Sequence, residues 1–297
     1  MTEPRTLLVI DTDPGTDDAI AFAVSTLLDG YPERAFVSSY GNMPICVTHA
    51  NLRKVLSLTG QEGRLFKGAS GPFEGDEPNC GGYHGPDGLG GASDLIDDAW
   101  EDGEGLLCDL ADLICGFESC TYIAIGPLTN LASLIRLRPE IVGHIGRLLI
   151  MGGGFELSNR PHGTEYNFAA DPVADAEVFA SGIPITLFPL DLTHAYPIAP
   201  ERIPALPFGE GTPMRLLLEA NCRSAMAAGY SGAIIHDAFP VLFLMERCAF
   251  ETEVAHVVLD RWGRTMFNEG GRAVELVISA PPELLPVALE TVSASIR

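Results

Sequence analysis

The chain has 297 residues, with 18 Lys plus Arg against 40 Asp plus Glu, a net charge of −22 and an isoelectric point near 4.5. A field of that sign repels phosphate backbones and anionic membrane surfaces, which argues against nucleic-acid and membrane partners and favours a cation or a neutral metabolite. Hydrophobic residues at 46% and charged residues at 20% support a sizeable core and oppose wholesale disorder.

Taken in chain order, an apolar run at 7–10 reads as a buried strand and 18–28 as a helix. A strand at 35–40 and a helix at 47–59 repeat the pair. Residues 68–105 then break the rhythm, rich in Gly, Pro, Asp and Glu. A loop this long reads as a lid or binding loop, with an acidic surface excursion as the plain alternative. Strands at 122–125, 148–151 and 185–188 follow, with helices at 128–137 and 173–180. Strands at 254–259 and 273–279 and a helix at 282–292 close the chain. Continuous apolar strands alternating with helices predict an α/β fold: a mainly parallel, Rossmann-like open sheet with helices on both faces. No repeat or low-complexity linker interrupts it, so residues 1–297 read as one domain with 68–105 as an active-site loop.

No stretch reaches the ~20 apolar residues of a membrane span, and residues 1–5 lack the zones of a signal peptide. Seven scattered cysteines without a Cys-x-x-Cys pair read as reduced thiols, mostly in the core, of a cytoplasmic protein. Lys54 and Lys67 are the only lysines.

The strongest chemical signal is Asp11-Thr12-Asp13-Pro14-Gly15-Thr16-Asp17-Asp18, between the first strand and the first helix. Ligands of open α/β sheets gather outside the carboxyl ends of the strands. Four carboxylates there repel one another and are best tolerated around a hard, oxygen-loving cation. The alternative is an acidic turn with an N-cap. His236-Asp237 offers a proton donor and a further ligand, or else a core His beside an N-cap for a helix through 241–247. Gly152-Gly153-Gly154 ends a strand and would let backbone approach a ligand. Asn159 and Glu165-Tyr166-Asn167 follow as hydroxyl-binding candidates, or as ordinary loop residues. Gly126-Pro127-Leu128-Thr129-Asn130 reads first as a tight turn that starts a helix.

Together these motifs resemble the nucleoside hydrolase family, calcium-dependent N-ribohydrolases, over nearly the whole chain and in the family's order. Gly41-Asn42, His84-Gly85-Pro86-Asp87-Gly88-Leu89-Gly90, Met151 before the triple glycine, and Asp191-Leu192-Thr193-His194 complete the set. The resemblance implies Ca2+ held by Asp13, Asp18, Asp237 and the carbonyl of Ile125. It implies Asp17 and Asn42 at the 2′/3′ side of ribose. Asn159, Glu165 and Asn167 would sit on the 5′ and 3′ hydroxyls, Met151 near the sugar, and Asp237 in reach of substrate. Asp11 would orient the loop. Asp13 would be the general base for water, His236 the leaving-group donor, and His84 and Tyr230 the lining of the base pocket. Attack by water implies inversion. A small-molecule nucleoside substrate, a role in purine or pyrimidine salvage, and a homo-oligomer (dimer or tetramer) come with the same resemblance.

Two departures stand out: Ile125 replaces the family's frequent Thr, and Ala238 its usual Pro. Residues 221–235 hold Tyr230 but no second tyrosine to close over a purine, which leaves base preference open. The alternatives are a haloacid-dehalogenase-like phosphatase, disfavoured by Gly15 and by the scarcity of lysine, and a non-catalytic metal-binding paralogue.

Overall fold

The apolar residues Leu7, Leu8, Val9 and Ile10 are all buried because β1 (Thr6–Thr12) runs inside a ten-stranded sheet. Successive side chains of a strand point to opposite faces, so a strand covered on both is apolar throughout. Leu8 and Ile10 join the core on one face, Leu7 and Val9 the core on the other. Burial of each such side chain contributes about 1.5–3 kcal/mol.

The computed structural model describes residues 6–76, 82–101 and 103–292. Its strands run in the order β4 (Glu104–Leu106), β3 (Arg64–Lys67), β2 (Glu33–Ser38), β1, β5 (Ser119–Ala124), β6 (Ile145–Met151), β7 (Ile185–Phe188), β10 (Arg272–Ser279), β8 (Glu251–Leu259) and β9 (Thr265–Phe267). All pairings from β4 across to β10 are parallel. Only β8 with β10, and β9 with β8, pair antiparallel. The expected mainly parallel α/β sheet is therefore present.

One face is covered by α1 (Thr16–Ser25), α2 (Ile45–Thr59), α8 (Pro213–Ala227), α9 (Ala238–Met245) and α10 (Leu284–Val292). The other carries α3 (Leu107–Cys115), α4 (Thr129–Leu137), the short α5 (Tyr166–Ala170) and α6 (Pro172–Ala180). A single turn, α7 (Leu190–Thr193), follows β7. Strand order reverses at β1, whose neighbours β2 and β5 lead away in opposite directions, so a crevice opens at the carboxyl ends of these strands.

Within the stretch at 68–105, residues 87–100 pack side chains into the core rather than running over the surface. Leu89, Ala92, Ile96 and Trp100 are buried in the same core as α1. The carboxylate of Asp87 accepts the N–H groups of Leu89 at 3.1 Å, Gly91 at 2.9 Å and Ser93 at 3.1 Å, which folds the chain into consecutive turns. The cysteines correct an expectation. Cys46, Cys108 and Cys248 are exposed, Cys115 is half-buried, and only Cys120 and Cys222 are core; Cys80 lies outside the described residues. The exposed three stand at a helix start, in the first turn of α3 and in a 3-10 turn, where no apolar face needed them. Among the described residues, no helix is long and apolar enough to cross a membrane.

Candidate active site

At the end of β1 the turn Asp13-Pro14-Gly15 leads into α1, whose first turn carries Asp17 and Asp18, both buried. Asp18 is held by the N–H of Gly15 at 2.7 Å and the hydroxyl of Thr12. Asp13 Oδ2 accepts the N–H of Asn42 at 2.8 Å, and the Asn42 amide donates to the Asp13 carbonyl at 3.0 Å. Asp237 occupies the N-cap position of α9 but makes no capping bond. The expected cap is absent because the carboxylate serves the acid cluster: oxygens of Asp17, Asp18 and Asp237 lie within 4.8 Å of one another. Asp13 is outside that triple and lines the cavity with Asp17 and Asp237, while Asp18 is not among the lining residues.

Burial is the largest cause that raises every one of these acids, and for Asp13, Asp17 and Asp237 mutual repulsion adds to it. Asp17 is pushed up to about 8, with Asp18 as the next contributor. Asp13 and Asp237 stand well above the usual carboxylate range, repelled by Asp18 and Asp17 respectively. Asp18 is raised by burial against the lowering effect of Thr12 and Gly15. Asp17 Oδ1 is buried without a hydrogen-bond partner; its nearest cationic candidate, His84 Nδ1, is 3.6 Å away. An orphaned oxygen inside a ring of buried acids is chemistry that a hard cation satisfies, so the donor set fits a metal ion.

Asp11 is excluded from that ring. Its oxygens accept the Tyr122 hydroxyl and the Asn130 amide, each at 2.7 Å, and burial raises it to about 7. Asn130 also bonds the Ser38 carbonyl at 3.1 Å and the N–H of Ala69 at 2.7 Å. Thr129 reaches Asp171 at 2.8 Å. Neither caps α4, so the turn-and-cap reading of Gly126–Asn130 gives way to a cross-brace behind the site.

On the β6 side of the site, the Asn167 amide donates to the Met151 carbonyl at 3.1 Å and the Ile125 carbonyl at 3.4 Å. Glu165 caps α5 by accepting the N–H groups of Asn167 at 2.9 Å and Phe168 at 3.2 Å. It also takes Gly153 N–H at 3.1 Å, and burial lifts it to about 7. The triple glycine serves packing rather than ligand approach. A Cβ at residue 152 would stand 2.4 Å from the Phe168 ring, and one at 154 would stand 2.3 Å from the Leu157 carbonyl.

Aromatic rings wall the other end. His194 packs against Tyr230 at 4.5 Å and His236 at 5.0 Å, and Tyr83 lies edge-on to His84 at 5.0 Å. His84 Nδ1 accepts the N–H of Thr16 at 3.1 Å, which leaves its proton on Nε2. Burial lowers His84 to about 4 and His236 to about 3, so both rings are neutral at physiological pH. His236 Nδ1 pairs with the Thr193 hydroxyl at 2.6 Å.

All this encloses a cavity of about 360 Å³. Asp13, Asp17, Asn42, His84, Ile125 and Met151 line it, as do Asn159, Glu165, Asn167, Tyr230, His236 and Asp237. Tyr166, a hydroxyl-binding candidate from the sequence, lines it as well; sequence reasoning gave no role to Tyr83, Arg160, Leu190 and His194, which line it too. Two had a visible signal: Tyr83 precedes the His84 motif, and His194 ends the Asp191 motif.

The sequence pattern of a family described as inosine-uridine preferring nucleoside hydrolase matches residues 8–288. The non-specific ribonucleoside hydrolase RihC of Escherichia fergusonii is 32% identical over 290 residues, spanning 96% of this chain and 94% of that one. RihC of Escherichia coli is 32% identical over 275 residues, 92% of this chain and 89% of its own. Among solved structures, a plant nucleoside hydrolase, the PpNRh1 enzyme, superposes with a TM-score of 0.85 at 24% identity, over 98% of this chain and 100% of that one. A purine-preferring ribonucleoside hydrolase from Gardnerella vaginalis gives 0.84 at 23% identity, over 97% and 98%.

Proposed function

The chain belongs to the inosine-uridine preferring nucleoside hydrolase family, and from that membership we propose how its own residues divide the reaction. It hydrolyses the N-glycosidic bond of ribonucleosides to free base and ribose, which removes the phosphatase alternative. The observation that carries the division of roles is the arrangement of one cavity. It is lined by the acids Asp13, Asp17 and Asp237, by the amide and carboxylate groups of Asn42, Asn159, Glu165 and Asn167, and by the histidines His84, His194 and His236.

Calcium is the ion we assign to this site, held by Asp13, Asp18 and Asp237 with the Ile125 carbonyl, with Asp17 of the close Asp17–Asp18–Asp237 triple standing beside it. When bound, it supplies a positive charge that orients a water and lowers its pKa. Asp13, fixed by Asn42, accepts that water's proton. Asp17 and Asn42 hold the 2′/3′ side of the ribose; Asn159, Glu165 and Asn167 hold its 5′ and 3′ hydroxyls. As the C–N bond lengthens, oxocarbenium charge grows on the sugar, and the surrounding carboxylates stabilise it. The base leaves toward His236 and His84, which assist as neutral N–H donors because neither is protonated at pH 7. Water attacks the face opposite the base, so the product ribose is inverted. The cytoplasm, which keeps exposed thiols such as Cys46 and Cys108 reduced, is the location we assign.

A panel of ribo- and deoxyribonucleosides, assayed in calcium and in EDTA, tests this reading. Base and ribose should appear from ribonucleosides in calcium, and 2′-deoxy substrates should lag because Asp17 and Asn42 lose their partner. No release from any ribonucleoside in calcium overturns it.

A further inference from the structure

Residues 155–164 carry Asn159 and Arg160 to the cavity through a segment with little regular structure, a single 3-10 turn at Pro161–Gly163. Its start is anchored by Asp191, whose carboxylate accepts the N–H groups of Phe155 at 2.7 Å, Glu156 at 2.8 Å and Leu157 at 3.2 Å. Further on, the N–H groups of Asn159 and Arg160 both reach the Thr164 carbonyl, at 3.2 and 3.1 Å. Those bonds close the segment on itself and do not fix it to the sheet.

One attachment is the Arg160 guanidinium over the Tyr166 ring at 4.3 Å, and the turn between β8 and β9 supplies another, at His162. The His162 ring lies flat on Trp262, with centroids 4.3 Å apart and planes 9° apart. His162 is the one non-glycine residue at positive φ (65°) among the described residues, a conformation that an L side chain adopts only when its surroundings hold it. At Gly163, a Cβ would stand 3.2 Å from Arg264 Nε. Farther along, Phe155 stacks on Phe267 at 4.0 Å and 4°. The turn itself is rigid: Asp260 Oδ1 accepts the N–H groups of Trp262 at 2.8 Å and Arg264 at 3.0 Å. Gly263 is seated against α5, which carries Asn167, so closely that a Cβ there would meet the Phe168 carbonyl at 2.4 Å. One hairpin turn thus touches both pieces of chain that bring polar groups to the sugar.

We propose that Trp262 is a positioning residue for recognition of the ribose 5′ end: its ring holds His162, and through it the small loop that sets where Asn159 stands. Trp262 touches no substrate. This rests on the reading that Asn159 and Glu165 bind the 5′-hydroxyl. A shift of the loop loses that contact and leaves Asp13 and the acid cluster in place.

The test uses the full-length enzyme in calcium, with uridine and inosine and their 5′-deoxy counterparts. The wild type should prefer the 5′-hydroxylated substrates. Trp262→Ala should raise KM and lower kcat/KM for them by about tenfold, with kcat nearly unchanged, while 5′-deoxy substrates stay within about twofold. Trp262→Phe, which keeps a ring to stack, should recover most of the loss. A discriminating wild type whose preference survives Trp262→Ala overturns the role of the hairpin and spares the sugar reading. Equal losses on both substrate types also overturn it. A wild type indifferent to the 5′-hydroxyl overturns both together.

Discussion

A Cβ on residue 41 would stand 2.0 Å from Asp13 Oδ2, so the position of the proposed base depends on Gly41 having no side chain. Gly126 stands on the other oxygen, where a Cβ would come within 2.8 Å of Asp13 Oδ1. These glycines follow β2 and β5, the neighbours of β1 on either side, so the topology of the sheet clasps Asp13 between them. Gly41 also sits at φ +151°, which favours glycine. Gly41→Ala should therefore push Asp13 aside and lower kcat by about 10²-fold, the scale of an ångström-level misplacement. Circular dichroism with nucleoside kinetics checks it: native secondary structure with full kcat would contradict the clasp.

The acid cluster makes a signed prediction about pH and metal. Acids raised by burial bind more protons folded than unfolded, so the metal-free fold loses stability as pH rises toward their folded pKa values. The buried histidines act the other way. With folded values near 3 and 4, His236 and His84 make stability rise with pH, but only up to their unfolded value of about 6.5. Above that the acids remain, Asp17 near 8 and Asp13 and Asp237 raised well above the usual carboxylate range. In EDTA, melting temperature should fall between about pH 6.5 and 8, and the gain from added calcium should grow over the same window. Asp13→Asn should raise the melting point in EDTA, shrink the calcium gain and cost about 10²–10⁴ in kcat. Thermal scans with and without calcium decide it; a calcium gain that shrinks as pH rises would count against a carboxylate metal site.

In the proposed reaction His236 assists the leaving base as a neutral N–H donor, and its ring is held by the Thr193 hydroxyl at 2.6 Å. His236→Ala should slow inosine by about 10²-fold while 4-nitrophenyl riboside, whose leaving group needs no proton, changes little. Thr193→Val should show the same asymmetry at smaller size. Equal slowing of both substrates by His236→Ala would remove the donor role.

Much of this was legible in the sequence because period and motif act locally. Residues 7–10 of β1 and 148–151 of β6 are continuous apolar runs, and β7 is apolar but for Thr186, because both faces of the sheet are covered; each strand leads to a cavity residue. What stayed hidden depends on contacts between distant segments. α8 mixes Arg, Glu, Asn and Ser with its apolar face, yet Asn221 within it is wholly buried, accepting the N–H of Ile234 at 2.9 Å. Asp237 looked like a cap because composition cannot show three other acids folding against it. Nor could a second tyrosine be found between 221 and 235, since Tyr83 comes from a segment distant in sequence that packs against α8.

Tyr83 offers a second aromatic ring in the cavity and gives a further prediction. It lines the cavity with Tyr230, and its segment is tied to α8 by the Ser224 hydroxyl, which donates to the Tyr83 carbonyl at 2.6 Å. That tie uses backbone, so Tyr83→Ala deletes the ring and keeps the anchor. Stacking of a base on an aromatic ring is worth about 1–3 kcal/mol. Tyr83→Ala should accordingly raise KM for nucleosides about tenfold or more. Inhibition by free ribose, which has no base to stack, should not change. Ser224→Ala removes the tie and keeps the ring, so it should act less on KM than Tyr83→Ala does. Steady-state kinetics on inosine and uridine separate the two. If Tyr83→Ala weakens free ribose as much as nucleosides, the ring supports the whole cavity rather than the base.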